Sequence, residues 1–222
     1  IYIFTFMQND FLVTLAWPEG MVEGPGSWYD KFASTNGKYR VGHSAIVLIN
    51  AVTKKALYFD FGRYHSPLGY GRVRDIETDP EVSLINAKIE NNILLNIENI
   101  LLQLSSMKAT HGEGKMYASV ISGINFNDAF STAKSIQEKG MLVYGPFIIG
   151  GTNCSRFVAD VIKASGPIFI KKLRLTFQFC ISPSPKRNVC ISNHHYYIVE
   201  SNNCVNVQKS RLHAYFSSIE KQ

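Results

Sequence analysis

The sequence has 222 residues, of which 45% are hydrophobic and 18% are charged, a composition typical of one generous globular domain and unlike that of a disordered chain. No apolar run reaches the roughly 18 residues of a membrane-spanning helix, so no transmembrane segment is expected. The net charge of +6 favours anionic partners only in a general way. Its basic residues form short scattered clusters without a nucleic-acid-binding motif, which argues against a nucleic-acid partner.

The cysteines bound the chemistry further. Cys154, Cys180, Cys190 and Cys204 contain no Cys-x-x-Cys pair, so neither a structural zinc site nor another cofactor is expected. Their even number allows two disulfides, or at most one if Cys154 stays free. The chain begins with Ile1, so we expect its natural start to be missing. Compartment and oligomeric state stay open.

The first predicted elements are strands. Phe11–Gly20 is predicted to be a strand that Trp17-Pro18 and Gly20 end, and Glu23–Phe32 a loop followed by a short helix. A clear hairpin follows, in which Ser44–Asn50 and Ala56–Phe61 are apolar strands separated by a polar turn. Their apolar residues fall on both faces, as in central strands that are covered on both sides.

The middle of the chain is predicted to mix loops, strands and helices. Gly69–Glu81 is polar and contains glycine, which indicates a loop. Leu84–Leu104 is expected to form strands and one short helix near Ile97–Leu104. Asn125–Gly140 is predicted to be a helix that Asn125 or Asn127 caps and that Gly140 ends.

The last third is predicted to be mostly strands around one helix. Residues 141–150 read as a strand leading into that helix. Further strands are expected at 173–179 and 195–200, with a loop at 182–188 between them. The order of elements, strands, helix, strand, helix, strands, indicates an α+β fold.

The segment Gly150–Ile162, GGTNCSRFVADVI, carries the strongest functional signal. Cys154 stands at the start of a periodic apolar pattern that continues at Phe157, Val158, Val161 and Ile162, one face of a helix. Thr152 or Asn153 is a suitable N-cap. The first turn of a helix carries partial positive charge, which stabilises a thiolate and can hold an oxyanion. The alternative is a small buried core residue.

A thiol nucleophile needs a base, and the predicted hairpin offers one. His43 stands at the head of the first strand, where a buried imidazole requires a hydrogen-bond partner. If the turn has an even number of residues, Asp60 lies opposite Ala45 or Val47, on the same face as His43. A three-residue turn would place Asp60 on the other face and separate it from His43. The alternative role of Asp60 is that of a strand-end residue bound to Arg63 or to a neighbouring backbone N–H.

The motif NCSRFV at Asn153–Val158 resembles the NCEHFV-type motif of lecithin:retinol acyltransferase-like proteins, which group with the NlpC-type cysteine peptidases and amidases of papain-like fold. GHSAIVLI at Gly42–Ile49 resembles the histidine strand of that superfamily in its circularly permuted branch, where the histidine precedes the cysteine. The wider pattern resembles an uncharacterised bacterial family of this group, over roughly Phe11–Ser165. The pair Ser155-Arg156 departs from the Glu-His of the acyltransferases.

The resemblance implies a papain-like α+β fold with a central antiparallel sheet and the cysteine at the N-terminus of a packed helix. It implies Cys154 as nucleophile and His43 as base, with Asp60 in the third position. We expect one domain over residues 1–222, with a core at about 11–165 and a strand-rich C-terminal extension at 166–222.

The most favoured function is a thiol hydrolase, an amidase or peptidase, that acts on amide or ester bonds of a peptide, a peptidoglycan-like chain or an acyl substrate. The alternatives are a lipid acyltransferase or thioesterase and an inactive binding module; a redox protein is disfavoured because Cys154 has no local partner. Trp28 and Tyr29 are possible groove residues of such a module. The residues assigned to substrate binding are Arg63, Arg72, Arg74, Trp17 and Asn153.

Overall fold

The computed structural model describes residues 9–23, 38–40, 42–145, 150–176 and 184–218. The strands in these ranges are β1 Asp10–Trp17, β2 Met21–Glu23, β3 Lys38–Arg40, β4 His43–Ile49, β5 Ala56–Gly62, β6 Tyr70–Arg74, β7 Ile89–Glu90, β8 Ile93–Leu94, β9 Met116–Ile124, β10 Leu142–Val143, β11 His195–Glu200 and β12 Asn203–Gln208. The α-helices are α1 Ile97–Ser106, α2 Phe126–Glu138, α3 Cys154–Ala164, α4 Phe169–Thr176, α5 Pro185–Ser192 and α6 Arg211–Ser217.

Eight strands form one antiparallel sheet in the order β10-β6-β5-β4-β1-β9-β11-β12. The predicted hairpin is its centre, since β4 pairs with both β1 and β5. Ala45 lies opposite Asp60 in this hairpin, which is the register that an even turn predicts. The fold is therefore α+β with a large antiparallel sheet.

The central strands are apolar on both faces because helices cover both faces. Odd-numbered residues of β1 and β4 pack with α1, whose buried side chains include Ile100 and Leu104. Even-numbered residues of the same strands pack with α2 and α3, through residues such as Ala133 and Phe157. The strands are thus buried in a three-layer arrangement, as a covered sheet requires.

The two predicted helix starts are confirmed. The Asn125 side chain accepts a hydrogen bond from the Asp128 amide at 3.1 Å and caps α2, and Gly140 follows that helix with a positive φ of +71°. The Asn153 side chain caps α3 by accepting from the Arg156 amide at 2.9 Å. Both caps satisfy first-turn N–H groups that lack intrahelical partners.

Three local predictions are wrong. Tyr70–Arg74 is not a loop but β6, whose arginines are paired with carboxylates across the sheet and beyond it. Residues 173–176 belong to helix α4, whose buried Leu175 packs into the core. Residues 185–188 begin helix α5, with Pro185 in its first turn and Ser184 as its N-cap.

The residues after Gly166 join the same sheet. Strand β11 pairs with β9, and β12 completes the edge. Buried hydrogen bonds also hold α5 against the sheet: Thr14 and Ser192 hydroxyls are 3.0 Å apart, and the Ser119 hydroxyl donates to the Val189 carbonyl at 2.8 Å. This region therefore contains three helices and two strands in its described part, and is less rich in strands than expected.

Other expectations fall on segments that are not described. These are the loop and helix predicted in Glu23–Phe32 beyond Glu23, most of the strand at 141–150 beyond β10, and residues 177–183. Of the helices that the structure does describe, none has both the length and the apolarity to cross a membrane.

Candidate active site

The predicted histidine and carboxylate meet at the end of the sheet where β4 begins. His43 is the first residue of β4, and its Nε2 atom lies 2.9 Å from Oδ2 of Asp60 on the adjacent strand β5. The His43 side chain is 13% exposed, whereas that of Asp60 is fully buried. The hairpin register thus turns two residues 17 positions apart into a hydrogen-bonded pair.

Asp60 is held by several donors at once. Arg74, directly opposite it on β6, donates to Asp60 Oδ1 from Nε at 3.0 Å and to Oδ2 from Nη2 at 2.8 Å. The hydroxyls of Tyr58 and Tyr64 donate to the same Oδ2 at 2.9 Å and 3.0 Å. A buried carboxylate is tolerated when it is paired and hydrogen-bonded in this way, and its direction is then fixed.

The cysteine sits where the helix pattern predicts. Cys154 is the first residue of α3, is 4% exposed, and lies close enough to the His43 side chain for the two groups to shift each other's pKa. The Tyr144 hydroxyl donates to Cys154 Sγ at 3.8 Å, and the Ser155 hydroxyl lies 3.9 Å from the same sulfur. His43 therefore lies next to both Asp60 and Cys154.

The electrostatics of the site favour the charged forms of Asp60, His43 and Cys154. Burial disfavours the imidazolium, but hydrogen bonds and charges from Asp60 and Cys154 outweigh burial and raise the pKa of His43 to about 9. Burial likewise opposes the thiolate, yet His43, Tyr144 and Ser155 together lower the pKa of Cys154 below its usual value. The pKa of Asp60 is also lowered, because His43 and Arg74 outweigh its burial. The site thus favours a thiolate–imidazolium pair beside an ionised carboxylate.

The Trp17 ring stacks on the imidazole of His43. It is fully buried and lies parallel to the His43 ring, with ring centroids 5.7 Å apart and an interplanar angle of 25°. Glycines make this packing possible: a Cβ on Gly112 would lie 2.3 Å from the indole, and one on Gly42 would lie 2.3 Å from the Trp17 carbonyl. Trp17 therefore packs against the His43 ring from within the core, and its assignment to substrate binding stays a prediction.

Two of the predicted substrate-binding arginines already hold carboxylates. Arg72 binds both oxygens of Asp79 at 2.7 Å, and its Nε donates to the Tyr64 carbonyl at 3.0 Å. Arg74 is buried against Asp60, and its guanidinium carbon lies 3.4 Å from the centroid of the Tyr64 ring. Both arginines stabilise the walls of the site, and substrate contact by either would require breaking these bonds.

The two remaining assignments differ in position. Asn153 caps α3 and so fixes the first turn that carries Cys154. Arg63 lines the cleft, with its guanidinium carbon 5.6 Å from the centroid of the Tyr144 ring. Of the five residues assigned to substrate binding, Arg63 is the one whose placement best suits that role.

A cleft of about 440 Å³ opens beside His43. Its wall includes His43, Arg63, Tyr64, Glu81, Glu113 and Tyr144. Tyr144 stacks on Phe61 with ring centroids 5.7 Å apart, and its hydroxyl lies 3.8 Å from Cys154 Sγ. The wall of the cleft thus includes the imidazole of His43, whereas Cys154 is not part of it.

Three tyrosines in the site were not predicted. Tyr58 precedes Asp60 by two residues on the same strand, so the period of two could have placed it on the same face. Tyr64 lies just beyond the end of β5, and Tyr144 reaches Cys154 from β10's end. The last two contacts depend on tertiary packing, for which the sequence carries no local signal.

The other cysteines have different surroundings. Cys154, Cys190 and Cys204 are free thiols, and Cys180 falls outside the described residues. Burial raises the pKa of Cys190 to about 11, and burial and the charge of Glu98 raise that of Cys204. Cys154 therefore stands apart as the described cysteine whose thiolate is favoured.

Comparison with known proteins places this site in a family. The model of TseH-like type VI secretion system effectors matches residues 12–167, which include His43, Asp60 and Cys154. The crystal structure of the type VI secretion system effector TseH has a similar fold, with a TM-score of 0.59 and 20% identity over 91% of this chain and 100% of that one. No curated protein sequence is significantly similar. Since the family match spans well over half of the sequence, the chain belongs to the TseH-like family of type VI secretion system effectors.

Proposed function

We propose that this protein is a thiol hydrolase, an amidase or peptidase of the permuted, papain-like NlpC type. Cys154 is its nucleophile, His43 its general base and acid, and Asp60 the residue that orients His43. The observation that carries the proposal is that His43 is hydrogen-bonded to Asp60 and lies next to the Cys154 thiol at the first turn of α3. This is the arrangement by which cysteine hydrolases activate sulfur.

In the first half of the reaction, the Cys154 thiolate attacks the carbonyl carbon of the scissile amide. The oxyanion that forms is stabilised by N–H groups of the first turn of α3 and by the positive end of that helix. The His43 imidazolium then gives its proton to the leaving amine as the C–N bond breaks, which leaves a thioester on Cys154 and a neutral His43.

In the second half, neutral His43 takes a proton from a water molecule, whose oxygen attacks the thioester carbonyl. The C–S bond breaks, the product leaves as a carboxylic acid that loses its proton to solvent, and the thiolate–imidazolium pair is restored. Asp60 stays ionised throughout and compensates the charge of the imidazolium. Its bonds to Arg74, Tyr58 and Tyr64 keep it from turning away.

The substrate class proposed is a peptide of the bacterial cell wall. Membership of a family of bacterial secretion effectors makes this class the first to test. The cleft wall carries cationic Arg63 together with anionic Glu81 and Glu113. Side chains of both signs suit a peptide that bears amino and carboxylate groups better than they suit a lipid acyl chain.

A non-catalytic binding module is the competing function. The observation in its favour is that Cys154 is 4% exposed and does not line the cleft. Hydrolysis requires neighbouring side chains to move so that a carbonyl carbon can approach the sulfur. A binding module has no such requirement.

The test is hydrolysis of purified bacterial peptidoglycan, followed by mass spectrometry of the released peptides and by labelling of new amino groups. We expect wild type to cleave, and Cys154→Ala to lower the rate by at least about a thousandfold. Cys204→Ser is the matched control, because this half-buried cysteine lies outside the site, and its rate should equal that of wild type. Equal release by wild type and folded Cys154→Ala would refute a thiol mechanism and favour the binding module.

A further inference from the structure

The positive charge of this protein is concentrated in its last quarter. Residues 1–165 contain fifteen basic and fifteen acidic residues, whereas residues 166–222 contain eight basic and two acidic ones. The whole net charge of +6 therefore belongs to the region that follows Ser165, contrary to the scattered distribution inferred from the clusters alone. Of the acidic residues there, Glu200 is paired with Lys115 at 3.2 Å.

The same region exposes apolar side chains. Two short helices, α4 and α6, present a set that includes aromatic and aliphatic residues: Ile168, Phe169, Ile170, Leu173, Leu212 and Phe216. Phe169 is 78% exposed, Leu212 67% and Phe216 62%. Such a density of exposed large apolar residues on two neighbouring helices exceeds the isolated ones found on ordinary surfaces.

Both helices pack against α5, and their side chains approach each other. The Arg174 guanidinium carbon of α4 is 5.6 Å from the centroid of the Tyr215 ring of α6. Lys171 of α4 also lies close enough to Arg211 of α6 for their charges to interact. We call the exposed surface of these two helices, with the preceding Ile168, the α4–α6 face. Its apolar side chains are accompanied by Lys171, Lys172 and Arg211.

The α4–α6 face is held on a rigid base. Leu175 anchors α4 in the core cluster that contains α3, and buried Ala214 anchors α6. Helix α5 lies between the sheet and both helices and is fixed to β1 and β9 by buried hydrogen bonds. The exposed apolar residues therefore project from a packed body, and the packing of the fold does not account for their exposure.

We propose that the α4–α6 face binds the surface of an anionic lipid bilayer. Basic side chains beside exposed aromatic and aliphatic ones are the combination by which short amphipathic helices attach to such surfaces: the charges meet anionic headgroups, and the apolar groups enter the boundary of the acyl region. A soluble polyanion would satisfy the charges but offer nothing to Phe169 or Phe216. The function of the face is to hold the hydrolase at a membrane surface, next to its substrate.

The test is co-sedimentation of the full chain with vesicles of phosphatidylcholine alone, or with about one third phosphatidylglycerol. Cys154→Ala is measured in parallel, so that the result does not depend on hydrolysis. We expect binding only to the anionic vesicles. Raising NaCl from 0.1 M to 1 M, which shortens the Debye length from about 10 Å to about 3 Å, should release most of the bound protein.

Variants separate the apolar contribution from the charge. The double variant Phe169→Ser/Phe216→Ser removes two exposed rings without touching the core, and we expect about tenfold weaker vesicle binding. Val52→Ser is the matched control, because Val52 is also 78% exposed but lies in the β4–β5 turn, and its binding should equal that of wild type. Lys172→Glu should weaken binding, and exposed Lys88→Glu should not.

Three results would overturn the proposal. The first is equal sedimentation with and without anionic vesicles, which would leave an acidic protein as the partner to seek. The second is binding to anionic vesicles that the double phenylalanine variant retains in full, together with equal binding of soluble polyphosphate, which would indicate a polyanion site. The third is equal loss of binding in folded Val52→Ser and in the folded double variant, which would show that binding does not depend on the apolar side chains of the α4–α6 face.

Discussion

The carboxylate of Asp60 is the residue on which the geometry of the site depends. It is fully buried and accepts hydrogen bonds from His43, Tyr58, Tyr64 and Arg74. Removing a charge from water costs several kcal/mol, which good geometry and further donors must offset. Four donor residues around one carboxylate leave the His43 ring a single favourable orientation. Rigidity of the imidazole, more than extra stability, is what this arrangement contributes.

At the same scale, the thiols should differ sharply in reactivity. Because the pKa of Cys154 is lowered and that of Cys190 is raised to about 11, iodoacetamide at pH 6–7 should modify Cys154 first, since the thiolate is the reactive form. His43→Ala removes the main group that stabilises that thiolate, and it should slow modification of Cys154 by at least about tenfold. Peptide mass spectrometry over a time course reads each cysteine separately.

The control for this experiment is His213→Ala, which removes an exposed histidine of α6 outside the site. Its Cys154 should react as fast as that of wild type. If Cys154 is inert while half-buried Cys204 reacts, Tyr144 keeps reagents from the sulfur, and the binding module becomes the better account of the site.

At the scale of elements, local chemistry predicted what local chemistry determines. The hairpin β4–β5 follows from two apolar strands around a polar turn, and its register placed Asp60 beside His43. The cap and apolar face of α3 follow from residues within two turns of each other. Where the site could be predicted, its residues lay within such elements.

The missed elements depend on distant partners. The sequence of strand β6 is polar because its arginines form ion pairs with Asp60 and Asp79. Those partners lie outside the strand, so its own sequence does not reveal them. No element was predicted over β9, where Ser119, Ser122 and Gly123 interrupt the apolar pattern, although β9 is paired on both sides. Helices α4 and α5 have mixed patterns because few residues of α4 are buried and those of α5 are enclosed by several neighbours.

The cap of α3 gives a prediction at this scale. Asn153→Ala removes the acceptor for the Arg156 amide and should lower the free energy of unfolding by about 1 kcal/mol. Asn153→Ser keeps a capping oxygen and should retain most of that stability. Urea unfolding followed by circular dichroism measures both. Equal stability of the alanine variant and wild type would mean that the cap is not what Asn153 contributes, and would return it to the residues that contact substrate.

At the scale of the whole molecule, one sheet unites two regions with different charge. The neutral part contributes β1, β4, β5, β6, β9 and β10 with the candidate site, and the basic part contributes β11 and β12 with the α4–α6 face. Antiparallel pairing of β9 with β11 and the buried bonds of α5 join the two. Because β9 and β11 are adjacent strands of one sheet, the surface proposed to bind a membrane and the candidate site belong to the same packed body.

Stability in acid should report on the buried ion pairs of the whole molecule. Burial opposes ionisation of three aspartates, but cationic partners outweigh burial and lower the pKa of each. His43 and Arg74 do so for Asp60. Lys134 does so for Asp75, and Arg72 does so for Asp79. A carboxyl group whose pKa is lower in the folded chain than its value of about 3.9 in the unfolded chain stabilises the fold above that value. This stability is lost as the pH falls through the folded pKa.

We therefore expect the free energy of unfolding, measured by urea unfolding, to be nearly constant from pH 6 to 5 and to fall steadily between pH 4 and 2. Asp79→Asn leaves Arg72 without its bidentate partner, so this variant should be less stable at pH 6 and should show a shallower fall in acid. Glu90→Gln, at an exposed position, should keep the slope of wild type. A stability that does not change between pH 5 and 2 would contradict the ion-pair account, because protonation of paired carboxylates must then cost the folded chain nothing.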